Sequence, residues 1–96
     1  MILEVAPLQI RHGQAEAFEA AFQEAQKIIM SMPGYLSHEL HRCIERPSEY
    51  ILLVRWQTLE DHTVGFRQSP HYLEWKQQLH HFYDPFPSVS HYETAG

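Results

Sequence analysis

The fold is decided by the stretch QAEAFEAAFQEAQKIIMSM, residues 14–32, and by the Pro33-Gly34 pair that follows it. Apolar side chains recur in this stretch at three- and four-residue spacing, and charged or amide side chains fall between them. That spacing predicts an amphipathic helix with one apolar face. Acidic residues lie mostly in its first half and Lys27 lies late, as the helix dipole favours. The proline and glycine then end the helix.

Strands are predicted on both sides of this helix. Residues 2–11, ILEVAPLQIR, are apolar enough for a strand, and Pro7 indicates an edge position or a bulge because it cannot donate to a ladder. Residues 35–45 alternate between two faces, with the even-numbered residues from Leu36 to Ile44 on one of them. Residues 50–56 form a second, more apolar strand, which makes a hairpin with the first.

The second helical region is broken in two. Thr58-Leu59-Glu60-Asp61 predicts a capping box, with a helix beginning near Leu59. Ser69 and Pro70 fit the N-cap and first position of another helix. A short last strand is expected over residues 88–94.

The resulting order, β-α-β-β-α-β, is that of a ferredoxin-like α+β fold, a four-stranded antiparallel sheet with helices on one face. The other face of the sheet would be left bare. Because a bare apolar face on so small a domain is best covered by a second copy, we expect a homodimer.

Composition limits the functions open to this chain. Its 96 residues form a single domain over residues 1–96, with 44% hydrophobic and 20% charged residues. The longest apolar run, residues 50–54, is far shorter than the ~18 residues of a membrane span. A net charge of −5 without a cluster of Lys and Arg predicts no nucleic-acid partner. Cys43 is the single cysteine and no signal peptide is visible, so we expect a cytoplasmic protein.

Two stretches resemble the antibiotic biosynthesis monooxygenase family. One is Met32-Pro33-Gly34-Tyr35, and the other runs from Trp56 through His62 to Ser69-Pro70-His71. The resemblance covers roughly residues 2–93. It implies a dimeric α+β barrel with a pocket between the sheet and the helices of each subunit. It also implies a monooxygenase that acts without a cofactor on a small hydrophobic, aromatic or quinol-type molecule.

The resemblance leaves two other functions open. The haem-degrading branch of the family uses an Asn on the first strand and a Trp and a His in the second helical region. By spacing these fall near Ala6, Gly65 and Trp75, none of which matches, and the chain contains no Asn. Haem binding through a divergent ligand such as His71 stays open. The other alternative is a non-catalytic dimeric module for binding small molecules or for stress responses.

His62 and His71 match the broader family pattern and are the predicted catalytic residues. Each is expected near the N-terminus of a helix, where the dipole disfavours protonation. A neutral imidazole is the form that a general base needs. We predict His71 as the base or substrate orienter and His62 as its neighbour, with capping or packing roles as the alternative.

Aromatic residues around His71 are predicted to wall the substrate pocket. Trp75 lies four residues after His71 and shares its helix face, and Phe66 and Tyr72 are close in sequence. The alternative for Trp75 is a place in the core.

Two polar strand residues are further candidates for substrate binding. His38 could line the pocket, and Arg55 could bind an anionic oxygen. The alternative for Arg55 is a salt bridge.

The eight histidines do not form a predicted metal site. His38 and His41 are three residues apart on a strand and point to opposite faces. His80 and His81 are adjacent on or after a helix and diverge by about 100°.

Overall fold

The computed structural model describes all residues, 1–96. Its helices and strands, in chain order, are β1 Ile2–Gln9, α1 Ala15–Met30, β2 Tyr35–Arg42, β3 Glu49–Trp56, a π-helix Asp61–Phe66, α2 Pro70–Leu79, a 3-10 turn His80–Phe82 and β4 Ser90–Tyr92. The four strands form one antiparallel sheet in the order β2-β3-β1-β4, and the helices pack on one of its faces. The ferredoxin-like prediction is therefore confirmed.

Helix α1 buries the face that its spacing predicts. Phe18, Phe22, Ala25 and Ile29 are buried, and they pack in the core against the inward side of β3. Trp56, at the end of β3, is fully buried. This core fixes the helices over the sheet and leaves room for a cavity beside α2.

The strands differ from prediction at two points. Strand β1 lies inside the sheet, so Pro7 is not on an edge strand. It is tolerated because β4 pairs only with residues 3–5, which leaves Pro7 without a neighbour on that side. Strand β2 has a register shift at Leu36, which is 51% exposed, and it ends before Ile44, which is 90% exposed. A bulge changes which face each residue takes, and the simple alternation did not predict it.

The start of the second helical region follows the predicted capping box. The backbone N–H of Asp61 donates to Thr58 Oγ1 at 3.2 Å, and the N–H of Thr58 donates to Asp61 Oδ2 at 3.1 Å. The helix then widens into a π-helix, in which the N–H of Arg67 donates to the carbonyl of His62. Ser69 stands at the N-cap of α2, but its hydroxyl donates to the carbonyl of Phe66 and leaves the helix N-terminus without a side-chain cap.

The outer face of the sheet carries no helix. Leu3, Val5 and Leu53 are half-buried there, and Ile51 is 37% exposed. No helix of the chain is both long and apolar enough to span a membrane.

Candidate functional site

A cavity of about 340 Å³ lies between the sheet and the second helical region. Alternate residues of β1 share one face of the sheet, and Glu4, Ala6 and Leu8 form part of the cavity floor. Leu52 and Val54 of β3 continue that floor. The volume lies within the range of small-molecule sites, about 300–1,000 Å³. The lining is mostly apolar, with a few polar groups.

His62 is the most buried polar group of the cavity wall, with 3% of its surface exposed. Its Nδ1 is hydrogen-bonded to Nε2 of His91 at 2.8 Å, and its Nε2 lies 3.4 Å from Glu4 Oε1. Its ring stacks on Trp56, with centroids 5.3 Å apart. His91 lies directly opposite Glu4 in the pairing of β4 with β1, so the strand register brings the three polar groups together.

Glu4 is a buried carboxyl group with one strong hydrogen bond. The indole N–H of Trp56 donates to Glu4 Oε1 at 2.9 Å. Burial raises the pKa of Glu4, while the bond from Trp56 and the positive charge of Arg67 act in the opposite direction. Its position on the cavity floor puts a carboxyl group within reach of both His62 and a bound molecule.

The imidazole of His62 is neutral at physiological pH. Burial, the charge of Arg67 and the neighbouring His91 together lower the pKa of His62 to about 3. Burial also lowers the pKa of His91, with a smaller effect from Arg67. Once the two rings are hydrogen-bonded to each other, the His62–His91 pair keeps one further N–H donor and one further nitrogen acceptor. The pair connects the cavity to the partly exposed strand β4.

Three predicted aromatic residues lie along the cavity. Phe66, Tyr72 and Trp75 all line it. The ring of Phe66 meets Tyr72 edge-on at 5.3 Å and Trp75 edge-on at 5.8 Å between centroids. These rings form an apolar, flat-sided wall, and their contact with a substrate stays a prediction.

Three other predicted site residues, His71, Arg55 and His38, lie outside the cavity. His71 is exposed in the first turn of α2, where Pro70 is also exposed, and it does not line the cavity. Arg55 lies on the outer side of the sheet and its guanidinium is 3.1 Å from Glu39. The structure therefore does not bring His71 together with His62 at the cavity, and its assignment as a base stays a prediction.

His38 links strand β2 to helix α1. Its Nδ1 is hydrogen-bonded to the hydroxyl of Tyr35 at 2.6 Å, and its Nε2 to the side-chain oxygen of Gln26 at 2.9 Å. Burial lowers the pKa of His38. These contacts hold the ring beside α1 and away from the cavity lining.

Among the residues that sequence reasoning missed are four with a carboxyl, guanidinium or imidazole group at the cavity or beside it. These are Glu4, Arg67, His80 and His91. Glu4 carries the clearest signal, because it is a charged residue on the same strand face as Ala6, Leu8 and Ile10. The other three depend on packing between distant parts of the chain.

No three His, Cys, Asp or Glu side chains come together in a group that would hold a metal ion. The polar groups that contact one another at the cavity are Glu4, His62 and the partner of His62, His91. The protein is thus a small α+β domain with a ferredoxin-like sheet and an aromatic-lined cavity between the sheet and the helices.

The chain belongs to the antibiotic biosynthesis monooxygenase family, whose model matches residues 1–78. It is 52% identical over 95 residues to the uncharacterized protein YczJ of Bacillus subtilis (strain 168), covering 99% of this chain and 100% of YczJ. The chain is also similar to a crystal structure of a Bordetella bronchiseptica protein that is classed with the antibiotic biosynthesis monooxygenases. The two share 34% identity with a TM-score of 0.93, and the match covers 98% of this chain and 96% of the Bordetella protein. SnoaB from Streptomyces nogalater, a cofactor-independent oxygenase, shares the fold with a TM-score of 0.82 at 18% identity, covering 99% of this chain and 93% of SnoaB.

Proposed function

We propose that this protein is a monooxygenase that acts without a bound cofactor on a small aromatic or quinol-type molecule held in the cavity. The observation that carries the proposal is the buried imidazole of His62 at the wall of an aromatic cavity, with His91 hydrogen-bonded behind it. Family membership supports the reaction class. The cofactor-independent oxygenase SnoaB, which has a similar fold, supports a reaction in which the substrate itself supplies the electrons.

The proposed reaction balances with a quinol and O₂ as the only reactants. A quinol and O₂ give a hydroxyquinone and water. One oxygen atom forms a new bond to a ring carbon in place of hydrogen, and the other leaves as water. The quinol loses four electrons and O₂ gains them. The step that the protein assists is removal of a hydroxyl proton, because the anion reduces O₂ far more readily than the neutral quinol does.

His62 is the proposed base, and His91 is the proposed acceptor of the proton that His62 releases. In the tautomer that carries its proton on Nδ1, His62 donates to His91, and Nε2, which lies 3.4 Å from Glu4 Oε1, is the nitrogen that accepts a proton from the substrate. Burial makes a charged ring unfavourable at this position, so uptake of the substrate proton at Nε2 must be accompanied by release of the Nδ1 proton. Transfer of the Nδ1 proton to His91, 2.8 Å away, returns His62 to its neutral form.

The rest of the cavity suits the anion that forms. Arg67 lines the cavity and places a positive charge near a developing phenolate. Phe66, Tyr72 and Trp75 supply an apolar wall that shields reactive oxygen species from water.

The test is ¹⁸O₂ incorporation with 1,4-dihydroxynaphthalene, measured above its uncatalysed oxidation. The wild type is expected to give labelled 2-hydroxy-1,4-naphthoquinone. His62→Gln is expected to lower the rate by about 10²-fold, the lower end of the usual contribution of a general base, because the pKa of His62 lies well below the operating pH. The matched control is His81→Gln, because His81 is exposed and does not line the cavity.

Four results would change the proposal. A wild-type rate in His62→Gln would remove His62 as the base, and loss of activity in His71→Ala would return that role to His71. If no tested quinol gives a labelled product while aromatic molecules still bind, the non-catalytic binding module is favoured. A Soret shift on titration with haemin would favour haem binding, although the predicted ligand His71 is exposed outside the cavity.

We also propose that two copies associate through the outer face of the sheet. Leu3, Val5, Ile51 and Leu53 give this face an apolar surface that no helix of the chain covers. Light scattering is expected to give a dimer for the wild type and a monomer for Leu53→Lys. A cytoplasmic location remains our expectation from the single cysteine.

A further inference from the structure

A second imidazole, that of His80, lines the same cavity without a hydrogen-bond partner. The histidine side chains that form hydrogen bonds in this protein are His38, His41, His62 and His91. His80 is half-buried, and its ring centroid lies 5.5 Å from that of Tyr83. Its ring nitrogens are thus available to a bound molecule, whereas Nδ1 of His62 is engaged by His91.

The two imidazoles stand at different ends of the cavity floor. His62 lies beside Glu4, near the start of β1. His80 contacts Tyr83, whose backbone forms a β-bridge with Ile10 beyond the other end of β1. Six residues of extended chain separate Glu4 from Ile10, or about 20 Å, and side chains reach inward from both ends.

The space between these polar ends is apolar. Ala6 and Leu8 form the floor there, and Trp75 contributes to the wall. Phe86 packs edge-on against His80, with centroids 4.9 Å apart, and is 63% exposed at the cavity mouth. A molecule that fills this space has an apolar middle and gains hydrogen bonds only at its ends.

We infer that His80 is a second ligand-binding residue, which hydrogen-bonds the far end of a flat aromatic molecule whose near end meets His62. The ligand class that satisfies both ends is an aromatic diol with its hydroxyl groups on opposite sides of the ring system. Burial and the charge of Lys76 lower the pKa of His80 to about 4, so the ring is neutral and can accept a hydrogen bond at pH 7. The inference rests on the proposed function, because it assigns the ligand of the same cavity.

The inference is tested by binding alone, without O₂. Quenching of tryptophan fluorescence gives the Kd of two stable probes, 2,6-dihydroxynaphthalene and 2-naphthol, which differ by one hydroxyl group. One more neutral hydrogen bond is expected to make the wild type bind the diol about 2- to 13-fold more tightly. The variants are His80→Phe, which keeps a ring, His80→Leu, which serves if the first does not fold, and His80→Gln, which restores a polar group. The matched control is His81→Phe, since His81 is exposed.

The expected result is that the preference for the diol disappears in His80→Phe, persists in His81→Phe and returns in part in His80→Gln. The inference is overturned if His80→Phe and His80→Leu keep the wild-type preference, or if the wild type binds the two probes equally. Failure of this inference can be distinguished from failure of the proposed function. Loss of the preference in His80→Phe, together with no labelled product from the quinol assay, would sustain the ligand assignment and overturn the monooxygenase.

Discussion

Acidification is expected to destabilise the folded protein through His62. Burial, Arg67 and His91 lower the pKa of this imidazole from 6.5 to about 3. The unfolded chain exposes the ring to water and returns its pKa to about 6.5. Below pH 6.5 the unfolded state therefore binds a proton that the folded state does not, and stability falls as the pH falls toward 3.

The size of the effect follows from proton linkage. Between pH 7 and pH 5 the folded state leaves His62 neutral, while the unfolded state becomes almost fully protonated at this ring. The free energy of unfolding is then expected to fall by about 2 kcal/mol from His62 alone. This value depends little on the folded pKa, provided that the pKa lies well below 5.

The comparison of wild type with His62→Gln isolates this contribution. Glutamine does not titrate, and its amide can still pair with His91. Glu4 acts in the opposite direction, because its raised pKa favours the folded state as the pH falls. Trp56 and Arg67 remain in both proteins and glutamine keeps the position beside Glu4 filled, so most of its contribution is expected to cancel between the two proteins.

The assay is urea unfolding at pH 7, 6 and 5, followed by tryptophan fluorescence at one fixed protein concentration, since association would otherwise alter the apparent stability. The wild type is expected to lose about 2 kcal/mol more than His62→Gln between pH 7 and pH 5. His71→Gln, at an exposed position, is expected to follow the wild type. Equal losses in the wild type and His62→Gln would refute the account of a buried, neutral His62.

Substitutions at two further positions, Glu4 and Gly34, each with a control, test the surroundings of the site through urea unfolding at pH 7. Glu4→Leu leaves the buried indole N–H of Trp56 without its acceptor and is expected to lower the free energy of unfolding by about 1–3 kcal/mol. Glu4→Gln keeps an acceptor and is expected to lower it by less. Equal losses in the two variants would contradict this role for the carboxyl group. Gly34→Ala places a Cβ against the carboxylate of Asp61 at a φ of 84° and is expected to cost at least about 2 kcal/mol by displacing the helix cap. The control is Gly13→Ala, which has a φ of 75° but no atom within 4 Å of the new Cβ, and it should cost about 1 kcal/mol. A similar cost at both glycines would argue against a steric clash between the Cβ at position 34 and Asp61.

The sequence was sufficient for features that depend on local spacing. The amphipathic face of α1 and the capping box at Thr58 and Asp61 both involve residues close in sequence, and both are confirmed. The hairpin of β2 and β3 and the order of elements also follow from local patterns. The bulge at Leu36 does not, because it depends on how β2 pairs with its neighbour.

The polar part of the site depends on contacts between distant residues. Glu4, His62 and His91 come from the first strand, the π-helix and the last strand, and only the pairing of β1 with β4 brings them together. No spacing within one element predicts such a cluster. The family resemblance identified His62 because its motif spans this helix, but it contained nothing about Glu4 or His91.

The position of His71 shows a limit of helix-face arguments. Trp75, one turn later on the same face of α2, is buried, and His71 was expected to lie beside it. The structure leaves His71 exposed, together with Pro70 and Leu73, because the first turn of α2 lies at the surface. Spacing gives the face of a helix but not where along its length that face is covered.

The central claim is that an aromatic molecule binds between the sheet and the helices with a hydroxyl group at His62. A crystal structure with bound 2,6-dihydroxynaphthalene tests it most directly. We expect the ring system over Ala6 and Leu8, with one hydroxyl oxygen within about 3.2 Å of His62 Nε2. A probe bound outside the cavity, for example beside His71, or a cavity filled by the protein's own side chains, would contradict the claim.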